Sequence, residues 1–201
     1  MQTKSLTICA LLLAASVAVA AAQGAPPAQG AGGGQRGGGR GPAGPGLTLT
    51  TMAFPDGGEI PARFAGADGV SPALEWTNVP ANAATFALIM HDPDVAIQRR
   101  NDDVLHWLVF NIPGTSRGLP EGMPAAAQMS DGTVQAMNLR RAPGYIGPGA
   151  PAAGPHHHYT FELFALDTKL ELTADATRAD VLRAMDGHIL GKGILVGRFH
   201  Q

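Results

Sequence analysis

Three stretches of the chain collect residue types suited to chemistry on a small polar ligand. The first is Tyr145–Asp167, YIGPGAPAAGPHHHYTFELFALD, where three histidines and a tyrosine stand between a Gly/Pro loop and an apolar run. The loop half can neither form helix nor pair regularly as a strand. His158 to Leu166 has the aromatic and apolar content of a buried strand. A rigid element presenting a loop suits binding better than core filling. The second stretch is His91-Asp92-Pro93-Asp94, which follows the apolar run Thr85–Met90, and the third is His106 inside Val104–Ile112. Imidazoles, a phenol and loop N–H groups are donors suited to a small anion, and a carboxylate can hold a histidine in place and raise its pKa. That chemistry requires Asp92, His106, His157 and Tyr159 to meet in space.

Other chemistries find little support. No G-x-S-x-G elbow is present, and beyond the first 22 residues the serines are Ser71, Ser116 and Ser130. Gly191-Lys192-Gly193 lacks the spacing and the Ser/Thr of a phosphate loop, and there is no H-E-x-x-H. Histidines 156 to 158 are adjacent, so in a strand they alternate faces and cannot all ligate one ion. A zinc site combining one of them with His91 or His106 is the metal alternative. Asp and Pro are also ordinary turn residues, and a lone histidine in a strand is most often a core residue with a hydrogen-bond partner.

Lys4, the apolar run Leu6–Ala15 and the small residues Val19–Ala22 read as a secretory signal peptide over residues 1–22. Residues 23–46 are low-complexity Gly, Pro, Ala and Gln, expected to be a flexible tether. The folded domain is then 47–201. The single cysteine, Cys9, lies in the leader, so neither a disulfide nor a thiol nucleophile is available to the remainder. An exported chain of this kind is expected in the periplasm or outside the cell, without a stable membrane anchor once the leader is cut. From residue 47 on, 11 Lys/Arg stand against 16 Asp/Glu, a net −5. This acidic balance argues against nucleic acid as a partner.

The elements that must position these residues are mostly strands. Leu47–Met52, Glu59–Phe64, Ala73–Val79, Thr85–Met90, Val104–Ile112, His158–Leu166 and Leu190–Phe199 are the expected strands, with Thr85–Met90 central and buried on both faces. Pro124–Arg141 has no clear pattern. One helix follows Thr177 as N-cap, with Asp180 at its third position, Val181, Leu182 and Met185 as its apolar stripe, and Gly187 at its end. The fold class is mainly β, a sandwich of two sheets with a short C-terminal helix.

Taken in order, Ser71-Pro72-Ala73-Leu74-Glu75-Trp76, Asp92-Pro93-Asp94, His106-Trp107-Leu108-Val109-Phe110-Asn111, Tyr145-Ile146-Gly147-Pro148-Gly149 with His157-His158-Tyr159, and Gly187-His188-Ile189-Leu190 resemble the phosphatidylethanolamine-binding protein family, in particular its bacterial Raf-kinase-inhibitor-like branch. The resemblance runs from about Leu47 to the C-terminus. It implies a two-sheet sandwich with a small cavity at one end that accepts phosphate, a similar ion or a phosphoryl headgroup. Asp92 and Asp94 match the two aspartates of the family's D-P-D motif, and His106 matches the histidine of the following strand. His157 and Tyr159 match the first and third positions of its H-R-Y motif, and Gly149 lies in the loop whose N–H faces the anion. Departures are His158 in place of the motif's arginine, Val95-Ala96 in place of Ala-Pro, and Gly149-Ala150-Pro151 where the loop often has another proline or a cysteine.

The expected function is non-enzymatic binding of a small anion such as phosphate or a phosphoryl headgroup, through Asp92, Asp94, His106, Gly149, His157 and Tyr159, with no cofactor and no metal. Two alternatives stand beside it: a protease-inhibitor-like or other protein-interaction modulator, and a zinc-dependent hydrolase. Among the three histidines, His157 is expected to point inward, with His156 and His158 facing away or lining the rim.

Overall fold

The computed structural model describes residues 46–95 and 103–201. The expected signal peptide, nearly all of the tether, Ala96, and Arg99 and Arg100 lie outside the described residues. Strand β4 (Thr85–Asp92) is the centre of the molecule, and all eight of its residues are buried. It pairs antiparallel with β5 (Val104–Pro113) on one side and β8 (His157–Leu166) on the other. Adding β7 (Val134–Gln135), β9 (Ile189–Phe199) and β2 (Gly58–Glu59) completes a six-stranded sheet in the order β2-β9-β8-β4-β5-β7. A smaller sheet, β1 (Thr48–Thr50), β3 (Leu74–Thr77) and β6 (Gly118–Leu119), runs in the order β1-β3-β6. The molecule is the two-sheet sandwich that the sequence predicts.

The two faces of β4 explain its unbroken apolar run. Phe86, Leu88 and Met90 join Leu49, Leu74 and Trp76 of the small sheet in the main core, and the Trp76 and Phe86 rings lie 5.2 Å apart. Ala87 and Ile89 face the opposite way, into a second core with Leu108, Phe110, Phe164 and Leu166. Helix α1 (Arg178–Met185) covers that second core with Val181 and Met185. Thr177 caps the helix in a full capping box with Asp180, and Gly187 turns the chain at φ 82°. Leu182, expected in the buried stripe, is 41% exposed on the flank of the helix. Residues four apart share a helical face, and Val181 and Met185 already fill the space beneath it.

Elsewhere the elements differ in extent from expectation. Of the expected strand Glu59–Phe64 only Glu59 lies in a strand, the two-residue Gly58–Glu59, before Pro61 opens a 3-10 turn over Ala62–Phe64, because proline cannot donate to the ladder. Pro124–Arg141 contains β7, and a buried side chain ties the start of the segment to the sheet. Gln135, fully buried, accepts from Trp107 Nε1 at 2.8 Å and donates to the carbonyls of Pro124 and Ala126 at 2.7 and 2.9 Å. Among the described residues no helix is long and apolar enough to cross a membrane.

Two register steps interrupt the β4–β5 ladder. Between Phe86↔Ile112 and Leu88↔Val109, Phe110 and Asn111 together oppose Ala87. Asn111 takes a left-handed φ of 56°, and its side chain donates to Leu170 O at 2.9 Å and accepts from Leu170 N at 2.8 Å. Asn111→Ala should therefore destabilise the fold by about 2 kcal/mol, because it keeps the unfavourable φ and orphans two buried backbone groups. Urea unfolding measures this, and a loss below about 0.5 kcal/mol would refute the role given to Asn111.

Candidate functional site

The second register step builds the site. Met90 opposes Trp107 whereas His91 opposes Leu105, so His106 is an extra residue on β5. Simple alternation would align His106 with Leu108 and Phe110, on the helix side of the sheet. The bulge turns it instead to the side of Trp107 and Val109, a common effect of an inserted residue. Asp92 continues the main-core face of Phe86, Leu88 and Met90, while His91 falls on the other face. On β8, His157 continues the line of Tyr159, Phe161 and Leu163, and His158 points outward. Strand geometry thus brings Asp92, His106, His157 and Tyr159 to one end of the large sheet.

These four side chains, with Gly149, line a cavity of about 280 Å³. Asp92 is 3% exposed, and a carboxylate that deeply buried needs partners. Its Oδ1 accepts the Asp94 N–H at 2.9 Å across Pro93, and its Oδ2 accepts from His157 Nδ1 at 2.8 Å. His106 donates from Nδ1 to the Ile146 carbonyl at 2.9 Å, and the Ile146 N–H returns a bond to His106 O at 3.1 Å. The Tyr159 ring meets His106 edge-on, with centroids 5.2 Å apart. Its hydroxyl accepts the Gly149 N–H at 3.2 Å, so that amide is engaged with the tyrosine rather than free.

Burial depresses the His106 pKa below the usual histidine value, against the opposing pull of the Ile146 carbonyl and the Asp92 charge. Burial also raises the Tyr159 phenol, and the neighbouring Asp92 charge raises it further against the bond from Gly149. The site at neutral pH therefore holds an uncharged His106 and an uncharged Tyr159 beside the carboxylate. Since Ile146 O can only accept, the His106 proton sits on Nδ1, and Nε2 is left as a bare acceptor.

Asp94 is not part of the cavity wall. Its Oδ2 accepts from the His158 backbone N–H at 2.5 Å and from His158 Nδ1 at 3.0 Å, out on the rim. Partial burial works to raise the Asp94 carboxyl, but the His158 N–H and ring outweigh it and the net shift is downward. His156 packs against His200, with ring centroids 4.0 Å apart and the planes tilted by 58°. His91 bonds Asp103 at 2.6 Å on the helix side of the sheet, so it forms no joint metal site with His106 or His157.

Sequence reasoning missed several parts of the wall. Gly147 is required because a Cβ there would lie 2.2 Å from the Phe64 carbonyl, where the loop presses on the 3-10 turn. Ile146 supplies its carbonyl, which no side-chain pattern announces. Leu139 and Arg140 come from the segment without a clear pattern. A wider groove of about 750 Å³ lies along β3 and β6, but its polar side chains, including Glu75, Asn78 and Arg117, are exposed and none is a histidine.

Comparison with known proteins decides the family. The model of the phosphatidylethanolamine-binding protein family matches residues 50–200. The chain belongs to that family. It is 42% identical over 156 residues to a UPF0098 protein of Methanothermobacter thermautotrophicus, covering 77% of this chain and 99% of that one. Among solved structures it is similar to a phosphatidylethanolamine-binding protein homolog from Chlamydia trachomatis, at 34% identity and TM-score 0.68, over 78% of this chain and 98% of that one. YbcL of Escherichia coli, described as a new member of the mammalian family, superposes with TM-score 0.68 at 25% identity, over 78% and 99% of the two chains.

The bond from His106 to the Ile146 carbonyl makes a definite spectroscopic prediction. In nitrogen-resolved NMR at neutral pH, His106 should show the Nδ1–H tautomer and titrate below the ordinary value of about 6.5. A depressed histidine adds stability above the unfolded value that is lost as pH falls through the folded one. The ligand-free protein should accordingly weaken on acidification below about 6.5. A His106 resonance charging above 6.5, or carrying its proton on Nε2, would contradict the bond to Ile146.

Proposed function

We propose that the protein is an exported, non-enzymatic binder of a small oxyanion, phosphate or a phosphoryl headgroup, in the cavity formed by Asp92, His106, Gly149, His157 and Tyr159, with Asp94 bracing its rim. The observation that carries this reading is the pair of histidines whose Nδ1 atoms are both committed, one to Ile146 O and one to Asp92, leaving both Nε2 atoms without a protein partner among the described residues. At about 280 Å³ the cavity sits at the small end of ligand sites, suited to an ion or a headgroup rather than to a large ligand. The described cavity-lining residues include neither serine nor cysteine, which favours binding over nucleophilic catalysis. Export rests on the leader-like pattern of residues 4–22.

Committed Nδ1 atoms give this reading a pH signature. A carbonyl or carboxylate at Nδ1 keeps that nitrogen protonated, so either ring donates to an anion through Nε2 only after gaining a second proton. Binding is therefore coupled to proton uptake, and affinity rises as pH falls. The rise should extend below about 6.5, because burial depresses His106. Calorimetry with inorganic phosphate and with phosphoethanolamine between pH 5 and 8 measures both affinity and protons absorbed. The expected result is at least tenfold tighter binding at pH 5.5 than at pH 8, abolished in a His106→Ala/His157→Ala double variant. Undiminished binding in that variant would sink the assignment.

A further inference from the structure

A cavity built on the Asp92 carboxylate with an uncharged His106 and Tyr159 beside it is a poor receptor for an anion until something supplies positive charge. His158, which stands where the family motif has arginine, is turned outward and held by Asp94. Among the described lining residues, Arg140 is the one side chain with a fixed positive charge. We infer that Arg140 is the charge partner of the bound oxyanion and thereby sets the cavity's preference for phosphoryl ligands. The inference rests on the anion-binding reading given above.

The loop that carries Arg140 is built to hold it at the cavity mouth. Asn138, 7% exposed, donates from Nδ2 to Gly144 O at 2.9 Å, and its Oδ1 accepts the Arg140 backbone N–H at 2.9 Å. Arg141 then turns through a left-handed φ of 59° and donates its N–H to Asn138 O at 2.9 Å. On either side of this turn the chain is tied to the strand that bears His106: Leu139 N–H donates to Leu105 O at 3.0 Å, and Ile146 N–H to His106 O at 3.1 Å. The backbone of Arg140 is thus fixed relative to His106, while the side chain is exposed and, among the described residues, makes no ion pair. A guanidinium presents two parallel N–H donors to a phosphoryl group, a geometry that an ammonium or an imidazole does not reproduce. Arg140 above and the Nε2 atoms of His106 and His157 below would then contact different oxygens of one tetrahedral anion.

The test compares Arg140→Gln, Arg141→Gln and the His106→Ala/His157→Ala variant with the parent, using inorganic phosphate and phosphoethanolamine in calorimetry at pH 6. Arg140→Gln should weaken both ligands about tenfold, the low end for a charge-assisted bond because the rim is solvated. The loss should be equal for the two, since the phosphoryl oxygens are common to both. Arg141→Gln, which removes the same charge one residue away and outside the cavity wall, should stay within twofold. Arg140→Gln within twofold of the parent, an equal loss in Arg141→Gln, or a loss confined to one ligand each overturns the role of Arg140 while leaving the cavity reading intact. A parent that binds neither ligand, or a double-histidine variant that binds as the parent does, overturns the cavity reading and this inference together.

Discussion

The Asp92 carboxylate is the constraint around which one end of the molecule is arranged. Placed at the end of a strand buried on both faces, it has lost nearly all contact with water, and an ion so placed costs several kcal/mol unless donors replace the lost hydration. One donor is local and the other comes from far along the chain. Asp94 offers its N–H from the turn made by Pro93, and His157 offers Nδ1–H from the start of β8. Satisfying Asp92 therefore fixes the approach of β8 to β4, the tautomer of His157 and the direction of its free nitrogen. A structural need and a binding geometry are met by the same two bonds.

How legible this was in the sequence differs from element to element, for physical reasons. The buried strand Thr85–Met90, the cap at Thr177 and the inward direction of Tyr159 follow from local pattern, because burial on two faces, capping chemistry and strand alternation each leave a mark within a few residues. His106 does not follow from pattern. Alternation assigns it to the helix side, and only the extra residue in the ladder opposite His91 brings it round to the cavity. Bulges depend on how two strands pair, which neither strand records alone. The same limit hid Gln135, whose three bonds reach Trp107 and the carbonyls of Pro124 and Ala126. It also hid the Ile146 carbonyl, since a backbone acceptor looks alike at every position. Residue-by-residue transfer from the family motifs named Asp92, His106 and His157 together, which periodicity alone could not; it also named Asp94, which the structure places on the rim, and Gly149, whose amide donates to the Tyr159 hydroxyl.

The replacement of arginine by His158 can be understood in the same electrostatic terms. An arginine at that position would pair with Asp94 as a permanent cation beside the cavity mouth. His158 makes the pairing through its backbone N–H and Nδ1, a geometry that serves a neutral ring as well as a charged one because Asp94 only accepts. The rim contact thus survives loss of the charge, and the long-range field of a permanent cation does not. With an uncharged His106 and Tyr159 beside the Asp92 carboxylate, the fixed positive charge at the mouth, among the described lining residues, is that of Arg140, outside the motif. A cavity can thus keep its walls and hydrogen bonds while the charge around its mouth changes. Geometry and field are separable properties here: the first is set by strand register and Asp92, the second by whichever cation the surrounding loops bring within reach.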